Sequence, residues 1–157
     1  MVLLFAMWRE RELSMWKVLL VAVYLLGLSV YDYREKSVPI QLLTAGAVWA
    51  AIMLLVEIVS GMWMWNRIWD MIPGVLLFVI ARMTGNLGLA DGIVLWIVGV
   101  ILGRGEAWML LLISFMLVFI FSVCFLFLKR IHMKSKIPYI PFLNIAFLLR
   151  LLSRSIV

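Results

Sequence analysis

The chain has 157 residues, 67% of them hydrophobic, with eight Trp and a mean hydropathy of +1.17, far more apolar than a soluble domain of this size. Most of the fold is therefore solvated by lipid. Because the apolar runs are continuous and not alternating, the expected fold class is an all-α polytopic transmembrane helical bundle, and an outer-membrane barrel is excluded. The formal net charge of +6 does not point to nucleic acid, since the fourteen Lys and Arg lie between apolar runs or at the ends, where they read as topology signals and headgroup anchors.

Residues 1–8 are apolar but too few to cross a bilayer, and Arg9-Glu10-Arg11-Glu12 follow them. A secretory signal carries its charges before the apolar run and ends in a small-residue cleavage site, which this stretch lacks. Residues 1–14 therefore read as an interfacial N-terminal extension, or as a segment preceding a working start at Met15, and residues 15–157 as one membrane-embedded domain. Six spans are expected in that domain. The first covers 15–31 and ends at Asp32. The second begins after Pro39 and runs to 59, before Ser60-Gly61. The third is short, from 69 to 81 or 83. The fourth covers 87–103, the fifth 107–128 and the sixth 137–152. Trp63, Trp65 and Trp69 bracket the second and third spans as an aromatic belt.

Charge sets the expected topology. With the Asp32 loop in the cytoplasm, Arg34, Lys36, Arg82, Lys129, Arg130, Lys134 and Lys136 are inside, against Arg67 and Arg104 in the opposite loops. The tails, with Arg9, Arg11, Lys17, Arg150 and Arg154, even the full count. The connecting loops agree with the positive-inside rule, which places the chain as a multi-pass protein of the inner, cytoplasmic membrane.

Cys124 is the single cysteine and stands in an apolar run, so it is expected to be buried and no internal disulfide can form. His132, the single histidine, lies in the basic connector Lys129-Arg130-Ile131-His132-Met133-Lys134 and is expected to be solvated. Zinc or serine-triad chemistry has no ligand set to draw on, so no metal and no cofactor are expected.

Chemistry is instead concentrated in the aspartates. Asp91 lies inside a segment, 87–100, with no other charge, flanked by Gly85, Gly88 and Gly92, which leave room for a backbone or a substrate strand to approach. An acid placed so in a membrane is a functional candidate. The plain alternative is a capping aspartate at a helix start. Asp32 closes the first span, with an equally plain alternative, an interfacial acid paired with Arg34 or Lys36. In either orientation the two acids fall on one side of the membrane. Two carboxyls held close share one proton, so one can activate water while the other donates to a carbonyl. Asp70 falls on the far side and reads as an interface residue.

Three elements in chain order carry a resemblance. Asp32-Tyr33-Arg34-Glu35-Lys36-Ser37-Val38-Pro39 resembles the Asp-x-Arg-x-x-x-Ile-Pro-Asn element of type IV prepilin peptidases, the GxGD-type membrane aspartic proteases. Gly88-Leu89-Ala90-Asp91 is similar to that family's Gly-x-Gly-Asp, and Lys136-Ile137-Pro138-Tyr139-Ile140-Pro141-Phe142 to the basic, proline-containing start of its last helix. The resemblance spans nearly the whole chain. It implies a peptidase that removes basic leader peptides from pilin-like precursor proteins of type IV pilus or secretion systems at the cytoplasmic membrane face. Asp32 and Asp91 would be its catalytic pair, with Arg34, Pro39, Gly88, Ala90, Gly92, Pro138 and Pro141 binding substrate or shaping the cleft. Its partners would be those precursors and membrane lipids, with no nucleic acid. The chain departs from the pattern at Ile40, where Asn is usual, at Ala90 in place of the second Gly, and at Ile93, where Lys is frequent. It has no cysteine-bearing cytoplasmic region of the kind found in the bifunctional members, so peptidase activity without methyl transfer is expected. Two other readings stay open: a small transporter or channel subunit in which the same acids bind a proton or cation, and an inactive assembly factor of the same fold. The first lacks an inverted repeat and has its acids at span ends; Ile40 and Ile93 keep the second in play.

Overall fold

The computed structural model describes residues 2–35, 37–60, 66–85, 88–103, 105–127 and 139–156. Almost all of these residues are helical and none is in a strand, in a bundle of α1 (Val2–Glu35), α2 (Ile40–Val59), α3 (Asn66–Thr84), α4 (Leu89–Leu102), α5 (Glu106–Phe127) and α6 (Ile140–Ile156). Three stretches, Met15–Glu35, Ile40–Val59 and Glu106–Cys124, are long and apolar enough to cross a membrane, and two shorter apolar helices lie at Leu89–Leu102 and Ile140–Ser153.

Local chemistry explains where the helices stop. Residues 2–14 run into α1 without a break, so the expected boundary at Met15 is a change of polarity and not of backbone. The same helix continues past Asp32 to Glu35. What ends it is Pro39, which disfavours helical geometry at Val38. Pro39 then caps α2, its φ of −63° suiting the position and its carbonyl accepting the Leu42 and Leu43 amides at 3.1 and 3.2 Å.

The third span departs from expectation. It was expected to start at residue 69 and be short, yet α3 starts at Asn66 and runs straight through Pro73. Proline lacks the N–H that would bond the carbonyl four residues earlier, which here belongs to Trp69. Trp108 on α5 supplies the missing donor, its indole Nε1 lying 2.9 Å from the Trp69 carbonyl oxygen. The orphaned acceptor is satisfied by a neighbouring helix, which is how helical prolines are tolerated in an apolar surround. Polar residues Asn66, Arg67 and Asp70 hide this first turn from any hydropathy reading.

α4 is the centre of the bundle and packs on α1, α2, α3 and α5, while α6 closes the gap between α1 and α5. Val94, Leu95, Ile97, Val98, Val100 and Ile101 of α4 are all buried. That all-round burial marks an interior helix and not an amphipathic one. Its tightest neighbour is α3, antiparallel to it. A Cβ on Gly92 would stand 2.6 Å from the Phe78 Cα, one on Gly74 2.4 Å from the Trp96 Cα, and one on Gly99 2.4 Å from the Asp70 carbonyl oxygen. Small residues at these crossings let the two backbones touch, the usual route to helix adhesion where lipid gives no hydrophobic drive.

The outer faces of α1, α2 and α5 remain apolar, with Val23, Leu55, Met116 and Phe119 exposed. Cys124 belongs to this outer surface, correcting the expectation that it is buried. In a lipid solvent an exposed small apolar residue has no penalty to avoid.

Candidate active site

Asp32 and Asp91 arrive at the same end of the bundle, one from the last turn of α1 and the other from the first turn of α4. They are 7% and 5% exposed respectively. They lie close enough that the charge of Asp32 acts directly on Asp91.

Each carboxylate is held by one oxygen. Asp91 is the third residue of α4; its Oδ2 accepts the Gly88 N–H at 3.1 Å, while its own N–H donates to the Gly88 carbonyl at 3.1 Å, so the side chain caps the helix start. The plain reading of Asp91 as a cap is thus realised in the geometry, but by only one of its two oxygens. Asp32 Oδ2 accepts the Ile140 N–H at 3.2 Å, across 108 positions of sequence. That donor is free because it belongs to the first turn of α6, where amides have no intrahelical acceptor. The next residue, Pro141, has no N–H at all, and Phe142 and Leu143 both donate to the Tyr139 carbonyl. A helix N-terminus also carries partial positive charge that favours the carboxylate.

Neither acid has a cation among the described residues. Arg34, the basic residue in the last turn of α1, is exposed, and Asp32 points inward, so the expected alternative of a surface Asp32–Arg34 pair is not what forms. Lys36 lies outside the described residues.

Two further polar groups join the site and were not singled out in the sequence. Tyr139, 1% exposed, caps α6, and its hydroxyl is 2.5 Å from the Ser114 hydroxyl of α5. It too lies within electrostatic reach of Asp91. The ring packs against Phe115 with centroids 6.0 Å apart. The available signal was Ser114 itself, a lone hydroxyl inside Leu111-Leu112-Ile113-Ser114-Phe115-Met116-Leu117; a buried hydroxyl needs a partner, and Tyr139 provides one.

The remaining expected residues divide. Gly88 lies against the site: a Cβ there would stand 3.1 Å from the Asp91 Oδ2, so any side chain would shift that carboxylate by a few tenths of an ångström. Ala90 is half-buried beside it. Gly92 faces α3, so of its two expected uses the close approach of a backbone is the one realised. Pro39 caps α2 and Pro141 opens α6, both half-buried. Pro138 and His132 lie outside the described residues. Ile40 is exposed at the start of α2, and Ile93 is half-buried on α4. No cluster of three metal-ligating side chains occurs among the described residues.

No family model, curated protein or solved structure matches this chain.

Proposed function

We propose that the chain is a membrane aspartic endopeptidase that removes the basic leader from type IV pilin-like precursors at the cytoplasmic face of the inner membrane. One observation carries this reading: two buried carboxylates from separate helices meet at one end of the bundle, where the charge of Asp32 acts on Asp91, and each is anchored through Oδ2 to a backbone amide. The Oδ1 oxygens accept nothing from the described residues and are available to a water and a proton. The three motif resemblances supply the substrate class. Arg34 and Arg82, both exposed near the ends of α1 and α3 on the same side as the acids, favour the cytoplasmic side.

The chemistry follows from the pair. With one proton shared between them, the ionised carboxylate removes a proton from water as that water's oxygen attacks the scissile carbonyl carbon. The protonated partner delivers its proton to the carbonyl oxygen. The resulting tetrahedral diol collapses with cleavage of the C–N bond: one diol hydroxyl gives its proton to the ionised carboxylate as the protonated partner donates to the amine nitrogen, leaving a carboxylic acid, an amine and the dyad with its single proton. Fixing Oδ2 of each acid to a backbone amide holds both side chains in place, so little reorganisation accompanies the reaction.

Coexpression with a precursor bearing a basic leader ahead of an apolar helix tests the reading by gel shift. Leader loss that depends on this chain is expected, and an uncut precursor across several pilin-like candidates rejects it. The rate should follow a bell-shaped pH profile. Activity falls toward acid, as both carboxyls become protonated and no base remains, and toward alkali, as the shared proton leaves and no acid remains. A profile that rises monotonically through the neutral range is incompatible with a shared proton.

A further inference from the structure

α6 carries a polar group that this chemistry leaves unused. Asn144 follows Ile140 by one helical turn, and so sits one turn deeper in the bundle than the amide holding Asp32. It is 6% exposed, and its Oδ1 is buried and accepts no hydrogen bond from a described residue. Around it on the same helix Ile140, Leu143, Ala146 and Phe147 are buried and apolar. The hydroxyls of Tyr139 and Ser114 face the same desolvation and solve it with each other; Asn144 does not. An apolar side chain of similar volume would be better accommodated in the resting fold.

A peptide bond inside an apolar helix is inaccessible to attack, because its carbonyl is already hydrogen-bonded and its neighbours crowd it. Cleavage needs that stretch pulled open, and an opened main chain in an apolar surround has bare N–H and C=O groups that demand partners. A primary amide offers one acceptor and two donors, which match one peptide group on both of its sides. Being uncharged, it has no preference for a phosphate or a metal ion over such a group.

We propose that Asn144 is a substrate-binding residue whose side-chain amide pairs with the opened main chain of the precursor beside Asp32 and Asp91. The ligand class is an extended, uncharged peptide backbone. This inference rests on the peptidase reading for the identity of its ligand, and the experiment separates the two.

The full-length protein, purified in detergent, is assayed against a precursor with a basic leader and an apolar helix, and is unfolded thermally without precursor. Asn144→Leu is expected to melt no lower than wild type while its KM rises about tenfold with kcat held within about threefold, the signature of lost substrate binding. Asn144→Gln, which keeps the amide, should bring KM most of the way back. An Asn144→Leu protein with the wild-type KM overturns this inference and leaves the peptidase reading standing. A melting point lower by about 4 °C or more also overturns it, since the amide would then serve the resting fold. If wild type cuts no such precursor, the peptidase reading and this inference fall together.

Discussion

The two ends of the bundle each bury a pair of acids, and they treat them differently. At the far end Asp70 is 3% and Glu106 6% exposed, as sequestered as Asp32 and Asp91. There, however, the charges serve as fasteners. Asp70 Oδ1 accepts the Gly105 N–H at 2.6 Å, tying α3 to the α4–α5 turn, and Arg150 of α6 grips Glu106 of α5 through Nε at 3.1 Å and Nη2 at 3.5 Å. Asp70 is thus no mere interface residue, as its sequence position had implied. At the other end no described cation pairs with either acid, and the charge of Asp32 acts on Asp91. Burial of an acid is therefore no functional signal alone; two acids buried at one place, with no cation among the described residues beside them, are the stronger one.

This contrast can be broken most directly by substitution. On the proposed peptidase reading, Asp32→Asn and Asp91→Asn should each reduce leader removal by at least about a thousandfold, because each would delete either the base or the acid of the pair. Both proteins should remain inserted and melt near the wild-type temperature, and a cleaving Asp91→Asn enzyme would end the mechanism. Asp70→Ala is expected to do the reverse. Losing a short bond from a buried carboxylate should destabilise the fold by about 2–3 kcal/mol, with activity per folded molecule retained; unfolding by denaturant in mixed micelles measures it. Trp108→Phe strips the Trp69 carbonyl of its substitute donor, and a loss of about 1 kcal/mol is expected in the same assay. Arg150→Lys keeps the charge but not the two-pronged grip on Glu106. It should cost less than about 1 kcal/mol and shrink further as salt rises, because Arg150 is partly exposed. Should Asp70→Ala abolish cleavage without loss of stability, the division between a fastening end and a reacting end is wrong.

The helices were legible where apolar runs are unbroken. α2 spans the stretch read from its residues, and α4, α5 and α6 fall within a few positions of theirs. α3 starts three residues earlier than read because its first turn, Asn66-Arg67, is polar and carries no apolar signal. α1 overran its expected end because helices stop at backbone signals, here Val38-Pro39, and not where polarity changes. In the site, Asp32 and Asp91 stood out as acids bordering apolar segments, whereas Tyr139 and the Ile140 amide carry no such mark, one being an aromatic at a helix start and the other having no side-chain signature.

Composition and the spacing of charges were enough to settle an all-helical apolar bundle and to put Asp32 and Asp91 on one side of it, since both follow from hydrophobic length and the parity of helix crossings. Which acids meet, and what each is given to hold, depended on packing. The glycine contacts between α3 and α4 and the seating of α6 against α1 bring together residues far apart along the chain. Linear patterns do not encode such contacts, because the free energy of a buried charge is set by its neighbours in space.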